Sequence, residues 1–152
     1  MSKIAVFPGS FSPFTNGHED IVNRALPLFE KIFIAVGINS DKNQYFSIEE
    51  RIEWIEAVYK NNPKINVMKY TGLTVDFCQK ERANFIIRGL RNSDDFEFEK
   101  NIAHMNKDLN IDIETVFLIS RPEISHISSS LIRDIIKNGG DVSKFIPKEI
   151  NI

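Results

Sequence analysis

The first group of residues with chemical potential follows a short apolar segment near the N-terminus. Pro8-Gly9-Ser10-Phe11 is soon followed by Thr15-Asn16-Gly17-His18. Gly9 lets the backbone approach a ligand closely, and Ser10 offers a hydroxyl and an amide. We predict that His18 lies in the first turn of a helix, where free amides and the helix dipole favour an anion and the imidazole can donate a hydrogen bond to phosphate oxygens. The alternative is that Pro8, Gly9 and Pro13 only shape a turn and that His18 is a surface residue.

A second group places two guanidinium groups after an apolar segment, in Ile87-Arg88-Gly89-Leu90-Arg91. Arginine stays charged and matches phosphate oxygens in a bidentate geometry. These side chains are therefore candidates for binding a phosphorylated ligand. The alternative is that they form surface ion pairs with Asp94, Asp95 or Glu97.

The third group is the run Ser128-Ser129-Ser130 in front of an apolar helical pattern. One serine is enough to cap a helix, whereas three hydroxyls and the free amides beside them form a cradle for phosphate groups. From the residues alone, His104 and His126 are expected to have structural or surface roles. Cysteine and histidine do not recur at metal-ligand spacing, so we predict no metal held by protein side chains. The sequence also has no P-loop lysine motif and no three-glycine dinucleotide fingerprint.

Short apolar segments and helical patterns alternate along the chain, and these elements must position the three groups. Predicted strands are residues 4–7, 32–38, 65–70, 85–87 and 115–119. Predicted helices are a pattern over residues 21–29 interrupted by Pro27, then 47–59, 74–82, 94–110, and a last helix capped by Ser128 or Ser129 that ends at Asn138-Gly139-Gly140. This order predicts a doubly wound α/β fold with a five-stranded parallel sheet and right-handed crossovers. Ligands of such sheets bind beyond the carboxyl ends of the strands. All three groups follow strands, as does the segment 39–42 that ends in Lys42.

Size and charge narrow the class of protein. A chain of 152 residues predicts one domain, 1–152, and a net charge of -2 argues against binding nucleic acid through bulk electrostatics. The single cysteine, Cys78, excludes an internal disulfide and is predicted to be a buried apolar residue. We expect a cytoplasmic protein, because the N-terminus does not look like a signal peptide and no apolar run is long enough to span a bilayer.

Two of these motifs resemble the signatures of the class I nucleotidyltransferase superfamily, namely Thr15-Asn16-Gly17-His18 and Ile127-Ser128-Ser129-Ser130. Over nearly the whole chain the sequence resembles the phosphopantetheine adenylyltransferase family. The motifs that carry this resemblance also include Pro8-Gly9-Ser10-Phe11, Glu49-Glu50-Arg51, Ile87-Arg88-Gly89-Leu90-Arg91, Asp95-Phe96-Glu97 and Ala103-His104-Met105-Asn106. The resemblance implies a Rossmann-like sheet of the nucleotidyltransferase type.

The resemblance also implies a reaction, the penultimate step of coenzyme A synthesis. ATP and 4′-phosphopantetheine would give dephospho-coenzyme A and pyrophosphate, with Mg²⁺ bound mainly through the ATP phosphates. A homohexamer and feedback inhibition by coenzyme A are implied in the same way.

The site residues follow from matching motif positions. His18 would stabilise the transition state, helped by Lys42, Arg91 and Ser10. Phosphopantetheine would be bound by Ser10, Lys42, Thr74 and Arg88. ATP would be bound by Ser10, Phe11, His18, Gly89, Leu90, Arg91, Glu99, Ile124, Ser125, His126, Ile127, Ser128, Ser129 and Ser130.

The chain departs from the family pattern at a few positions. Ser10 and Ser12 stand where threonine and aspartate are usual, and Phe7 and Phe98 stand in place of tyrosine. Ile124 replaces a tryptophan, which predicts weaker packing on adenine.

The sequence leaves three alternative functions to consider. The first is transfer of an adenylyl or cytidylyl group to another phosphorylated acceptor, such as nicotinamide mononucleotide or glycerol phosphate. The second is a non-catalytic adenine-nucleotide sensor, against which an intact His18 argues. The third, a fragment of a class I aminoacyl-tRNA synthetase, is disfavoured because the chain has no room for a tRNA-binding domain and no lysine-rich signature loop.

Overall fold

A computed structural model describes residues 2–39 and 44–152, in which strands and helices alternate. The elements are β1 Ile4–Gly9, α1 Asn16–Ala25, β2 Lys31–Gly37, α2 Ile48–Val58, β3 Ile65–Tyr70, α3 Thr74–Lys80, β4 Phe85–Leu90, α4 Ser93–Leu109, β5 Glu114–Ile119 and α5 Ser129–Lys137. The five strands are all parallel, in the order β3-β2-β1-β4-β5. This confirms the predicted doubly wound fold. No helix in the described ranges is long and apolar enough to cross a membrane.

Apolar residues cover both faces of the sheet, as the continuous apolar runs of the central strands predict. On one face the core includes Ile21, Ile55 and Ile132, which come from α1, α2 and α5. On the other face α3 contributes Val75 and Cys78. Cys78 is fully buried, and its burial raises the pKa of the thiol to about 12. The prediction of a buried apolar cysteine is therefore confirmed.

Local capping signals place several helix ends where the sequence predicts them. The Ser47 side chain accepts from the Glu50 amide at 3.1 Å, and the Glu50 carboxylate accepts from the Ser47 amide at 2.9 Å. At α5, Ser128 is the cap, since its hydroxyl accepts from the amide of Leu131. The same helix ends at Lys137 with Asn138 as its C-cap, and Gly139 follows with a φ of 78°. These side chains satisfy backbone groups that helix ends leave unpaired.

Four predicted boundaries are wrong, each for a physical reason. β1 runs through Gly9 and does not end at Phe7, because its pairing with β2 continues to Gly9↔Val36. β4 runs through Leu90 and does not end at Ile87, because its pairing with β5 continues to Leu90↔Ile119. α3 ends at Lys80 because Arg82 has a φ of 57°, which no helix can continue. Phe29 is buried but extended, because a 3₁₀ turn containing Pro27 follows α1.

The sheet opens between β1 and β4, the neighbours at which the strand order switches. These strands pair only at Ala5↔Phe85 and Val6↔Ile86. Beyond those pairs the strands separate, and the Arg88 side chain spans the gap by donating from Nη1 to the Pro8 carbonyl at 2.7 Å. Ligand sites of doubly wound sheets lie at this position.

Candidate active site

Two cavities open at the carboxyl ends of the strands, one on each side of this gap. The first, of about 370 Å³, is lined by the β1–α1 loop, the end of β4 and the start of α5. The second, of about 360 Å³, lies between the ends of β1 to β3 and α4. Residues that line both cavities are Pro8, Gly9, Ser10, Arg88 and Glu99. A ligand in each cavity would therefore meet the other across this shared wall.

Most of the predicted site residues line these cavities. Those in the first are Ser10, Phe11, His18, Arg88, Gly89, Arg91, Glu99, Ile124, Ile127, Ser128, Ser129 and Ser130. The second includes Ser10, Thr74 and Arg88. Lys42, predicted to act in catalysis and to bind phosphopantetheine, lies outside the described residues.

Three residues predicted to bind ATP line neither cavity. Leu90 is buried, and its strand continues to pair with β5. The Ser125 hydroxyl donates to the Pro122 carbonyl at 3.2 Å, and His126 is exposed to solvent. The structure therefore does not bring these three side chains into the site.

His18 is fixed in one orientation by the start of α1. The Thr15 amide donates to Nδ1 of His18 at 3.0 Å, and the His18 amide donates to the Thr15 hydroxyl at 3.3 Å. Because Nδ1 accepts, the proton of the neutral ring is on Nε2. The ring packs against Phe14 at 5.3 Å and against Phe11 at 5.0 Å between centroids.

The surroundings of His18 favour its neutral form. Burial, and after it the positive charges of Arg88 and Arg91, lowers the pKa of His18 to about 3. At physiological pH the ring is therefore neutral and donates one N–H. A neutral donor suits the stabilisation of developing negative charge without proton transfer.

The low pKa of His18 makes the free energy of unfolding depend on pH. Because the pKa of His18 is about 3 in the folded chain and near its ordinary value of 6.5 when unfolded, the unfolded chain binds more protons between those values. Stability is then lost as the pH falls, by roughly 2 kcal/mol between about pH 7 and about pH 5. His18→Gln keeps a side chain that can complete the capping box but cannot titrate. We therefore expect the free energy of unfolding of this variant to fall by roughly 2 kcal/mol less than that of the wild type over the same interval. Urea unfolding of both proteins at each pH measures this, and equal losses would contradict a neutral imidazole in the folded chain.

The first-turn amides of α1 are less available than the sequence suggests. The Asn16 amide donates to the Phe145 carbonyl at 2.9 Å, and the amide of Glu19 donates to the Thr15 carbonyl at 3.0 Å. With the His18 amide bound to Thr15, the expectation of a set of free amides here is wrong. The His18 ring and the Gly17 amide, both on the wall of the first cavity, are the groups that this helix end offers to an anion.

Arg88 is held by a buried carboxylate. Its Nε and Nη2 donate to the two oxygens of Glu99 at 2.9 and 2.6 Å. Glu99 is only 8% exposed. The pair fixes the guanidinium between the two cavities and leaves part of its N–H donors for a ligand. The alternative of surface pairs with Asp94, Asp95 or Glu97 is wrong for Arg88.

The alternative of a surface ion pair holds in part for Arg91. Its Nε lies 3.5 Å from a carboxylate oxygen of Asp95, and its Nη1 donates to the Ile127 carbonyl at 3.3 Å. Arg91 is nevertheless half-exposed on the wall of the first cavity. Such an exposed ion pair contributes little free energy, about 1 kcal/mol or less, so a phosphate can compete for this guanidinium.

The three serines play different parts. The Ser128 hydroxyl caps α5 and lies 3.3 Å from the Ser130 hydroxyl, while Ser129 donates to the Pro13 carbonyl at 2.8 Å. Ser130 is the exposed member of the three. The predicted cradle of three free hydroxyls is therefore less open than expected, because each of the three already has a protein partner.

The sequence interpretation missed Arg133, which lines the first cavity. Its Nη1 donates to the Ser12 carbonyl at 2.6 Å. The sequence did contain an indication that Arg133 lies at the site. Arg133 follows the predicted site residue Ser129 by one helical turn and therefore lies on the same face of α5. The Ser12 hydroxyl beside it is buried and has no hydrogen-bond partner among the described residues.

Comparison with known proteins matches this chain to one family. The cytidylyltransferase-like family profile matches residues 6–135. A phosphopantetheine adenylyltransferase of Cytophaga hutchinsonii is 55% identical, over 99% of this chain and 100% of that protein. One from Flavobacterium psychrophilum is 51% identical over 97% of both chains, and one from Bacteroides thetaiotaomicron is 47% identical over 97% of both.

Solved structures show the same fold at low sequence identity. A putative nicotinate-nucleotide adenylyltransferase from Vibrio parahaemolyticus has a TM-score of 0.74 at 20% identity, covering 98% of this chain and 96% of that one. A bifunctional NMN adenylyltransferase/ADP ribose pyrophosphatase from Francisella tularensis has the same TM-score of 0.74 at 17% identity, over 96% of this chain and 45% of that one. At this level of identity the likeness shows the fold alone.

Proposed function

The chain belongs to the phosphopantetheine adenylyltransferase family, and from this premise we propose that it transfers the adenylyl group of ATP to 4′-phosphopantetheine. The products are dephospho-coenzyme A and pyrophosphate. The observation that carries the proposal is the wall of Ser10, Arg88 and Glu99 shared by two cavities of similar size. ATP occupies the first cavity and phosphopantetheine the second, so that the α-phosphate and the acceptor phosphate meet at that wall.

The chemistry is a direct displacement at phosphorus. An oxygen of the acceptor phosphate attacks the α-phosphorus, and the bond from that phosphorus to the oxygen bridging the β-phosphate breaks. Pyrophosphate leaves with the electron pair of that bond. Because the nucleophile is already an anion, neither a general base nor a covalent intermediate is needed. Catalysis then consists of alignment and charge stabilisation.

The residues divide these tasks between them. His18 donates its Nε2–H to an oxygen of the α-phosphate, where negative charge builds up in the transition state. Arg91, Ser10 and Lys42 provide the other positive charges and donors around the triphosphate. Arg88 binds the acceptor phosphate with the N–H groups that Glu99 and Pro8 leave free. Thr74, whose hydroxyl lies 3.1 Å from that of Tyr70, contacts the pantetheine arm in the second cavity.

Mg²⁺ is proposed to enter with ATP. Within residues 2–39 and 44–152 no group of three or more His, Cys, Asp or Glu is arranged to hold a metal ion. The Glu99 carboxylate, moreover, already accepts from Arg88. Mg²⁺ commonly binds substrate phosphates and keeps several waters, so this donor set fits an ion held mainly by ATP. When bound, it neutralises charge on the phosphates.

Assembly, regulation and location are further parts of the proposal. A homohexamer is supported by the family resemblance and by an apolar surface on α4, where Phe98 is 68% and Met105 is 67% exposed. Coenzyme A is proposed as a feedback inhibitor because its nucleotide half resembles the ligand proposed for the first cavity and its pantetheine half resembles the ligand proposed for the second. A cytoplasmic location follows from the use of ATP and phosphopantetheine.

An acceptor panel tests the proposed function. We expect pyrophosphate release from ATP to require phosphopantetheine and to be roughly 100-fold slower or more with nicotinamide mononucleotide or glycerol phosphate. The measurement is continuous pyrophosphate detection, with mass spectrometry of the adenylylated product. Faster release with another acceptor would reassign the substrate, and ATP binding without release under every condition would make the protein a nucleotide sensor.

A further inference from the structure

Arg51 belongs to the motif Glu49-Glu50-Arg51, to which the proposed reaction gives no role. It lies on α2 beneath the site and lines neither cavity. Only 1% of Arg51 is exposed, and among residues 2–39 and 44–152 it is the largest of the fully buried side chains. A buried guanidinium of this kind needs a physical explanation.

The partners of Arg51 are backbone carbonyls. Nη1 donates to Ser10 at 2.7 Å and to Gly37 at 3.3 Å, and Nε donates to Ser47 at 3.3 Å. None of the ion pairs found in the described part of the chain includes Arg51. Burial accordingly lowers the pKa of Arg51, and the negative charge of exposed Glu49 opposes this only in part.

Burying a charge without a counter-ion costs free energy, so stability alone does not explain this choice. An apolar side chain of similar volume would fill the same space without that cost. What the guanidinium adds is direction, because it fixes the planes of the peptide groups to which it donates.

Those peptide groups lie where the sheet meets the substrates. Strands β1 and β2 pair up to Gly9↔Val36, and Ser10 and Gly37 are the residues that follow this last pair in the chain. Arg51 donates to the carbonyls of both residues at the point where the pairing of β1 with β2 ends. Ser10 lines both cavities, and Gly37 lines the second.

Resting on the proposed function, we infer that Arg51 is a positioning residue for adenylyl transfer, which acts through Ser10 by fixing it on the wall between the two substrates. Two other arginines hold the same loop, Arg88 at the Pro8 carbonyl and Arg133 at the Ser12 carbonyl, but both also line a cavity. Arg51 has no such contact. A misplacement of about 1 Å can cost about 100-fold in rate, so loss of Arg51 should lower kcat more than it raises either KM.

The test compares Arg51→Met, Arg51→Gln and Arg51→Lys with the wild type in the pyrophosphate assay. We expect kcat to fall roughly 30- to 100-fold in the Met and Gln variants while both KM values stay within about threefold. Lysine keeps the charge and can reach a carbonyl, so it should restore kcat to within about tenfold of wild type. The matched control is Arg24→Met, which removes another guanidinium that donates to a backbone carbonyl, that of Ile119, while neither Arg24 nor Ile119 lines a cavity. It should leave kcat unchanged.

The outcomes separate this inference from the proposed function. If the wild type forms no dephospho-coenzyme A, the proposed function itself fails. If the wild type is active and folded Arg51→Gln has the same kcat, or shows only raised KM values, the positioning role is overturned. Thermal unfolding identifies variants that do not fold. Should Arg51→Met fail to fold, the neutral donor in Arg51→Gln still decides the question.

Discussion

Replacing His18 by alanine should lower kcat by at least about 100- to 1,000-fold while ATP and phosphopantetheine still bind. The reason is the fixed direction of the ring, since Thr15 holds Nδ1 as an acceptor and leaves Nε2–H as the donor. This donor is worth most when charge develops on the α-phosphate oxygens, so its loss acts on the transition state and much less on substrate binding.

The measurement combines steady-state kinetics with calorimetric binding of each substrate. His104→Ala is the matched control, because His104 is an exposed histidine on α4 that lines neither cavity. It should keep wild-type kcat. Near-normal turnover in folded His18→Ala would refute the role given to the imidazole.

Replacing Arg88 by methionine should lower kcat/KM for phosphopantetheine by at least roughly 100-fold. A buried, hydrogen-bonded charge pair typically loses about 2 to 5 kcal/mol when one partner is truncated, and here the acceptor phosphate loses its guanidinium as well. The variant should also unfold at a lower temperature, because Glu99 is left buried without the partner that binds both of its oxygens.

The double variant Arg88→Met with Glu99→Met separates the two effects. Removing the lone carboxylate should restore much of the stability, since an apolar pair of similar volume avoids the unpaired charge. Activity should stay low, because neither methionine can bind a phosphate. Recovery of kcat/KM in the double variant would show that Arg88 serves only to neutralise Glu99.

Features set by local sequence were predictable. β3 spans Ile65–Tyr70 as predicted, and Ser47 and Glu50 form the capping box that their spacing indicates. Pro27 and Gly139 mark the ends of α1 and α5. Each of these depends on side chains within a few residues of the backbone that they shape.

Features set by distant parts of the chain were not predictable. The extension of β4 depends on its pairing with β5, and the occupied amide of Asn16 depends on Phe145. The site loop likewise receives Arg51 from 41 residues away and Arg133 from 121 residues away. No local pattern reports contacts at such separations, although the residue types that converge at the site were visible as motifs.

The stereochemical course at the α-phosphorus tests the proposed reaction most directly. If the two substrates meet across the wall of Ser10 and Arg88, one in-line attack occurs and no adenylyl group is ever attached to the protein. ATP with one chiral sulfur at its α-phosphate should then give dephospho-coenzyme A with the configuration at phosphorus inverted. Retention of configuration, which requires two successive displacements, would contradict direct transfer between the two cavities.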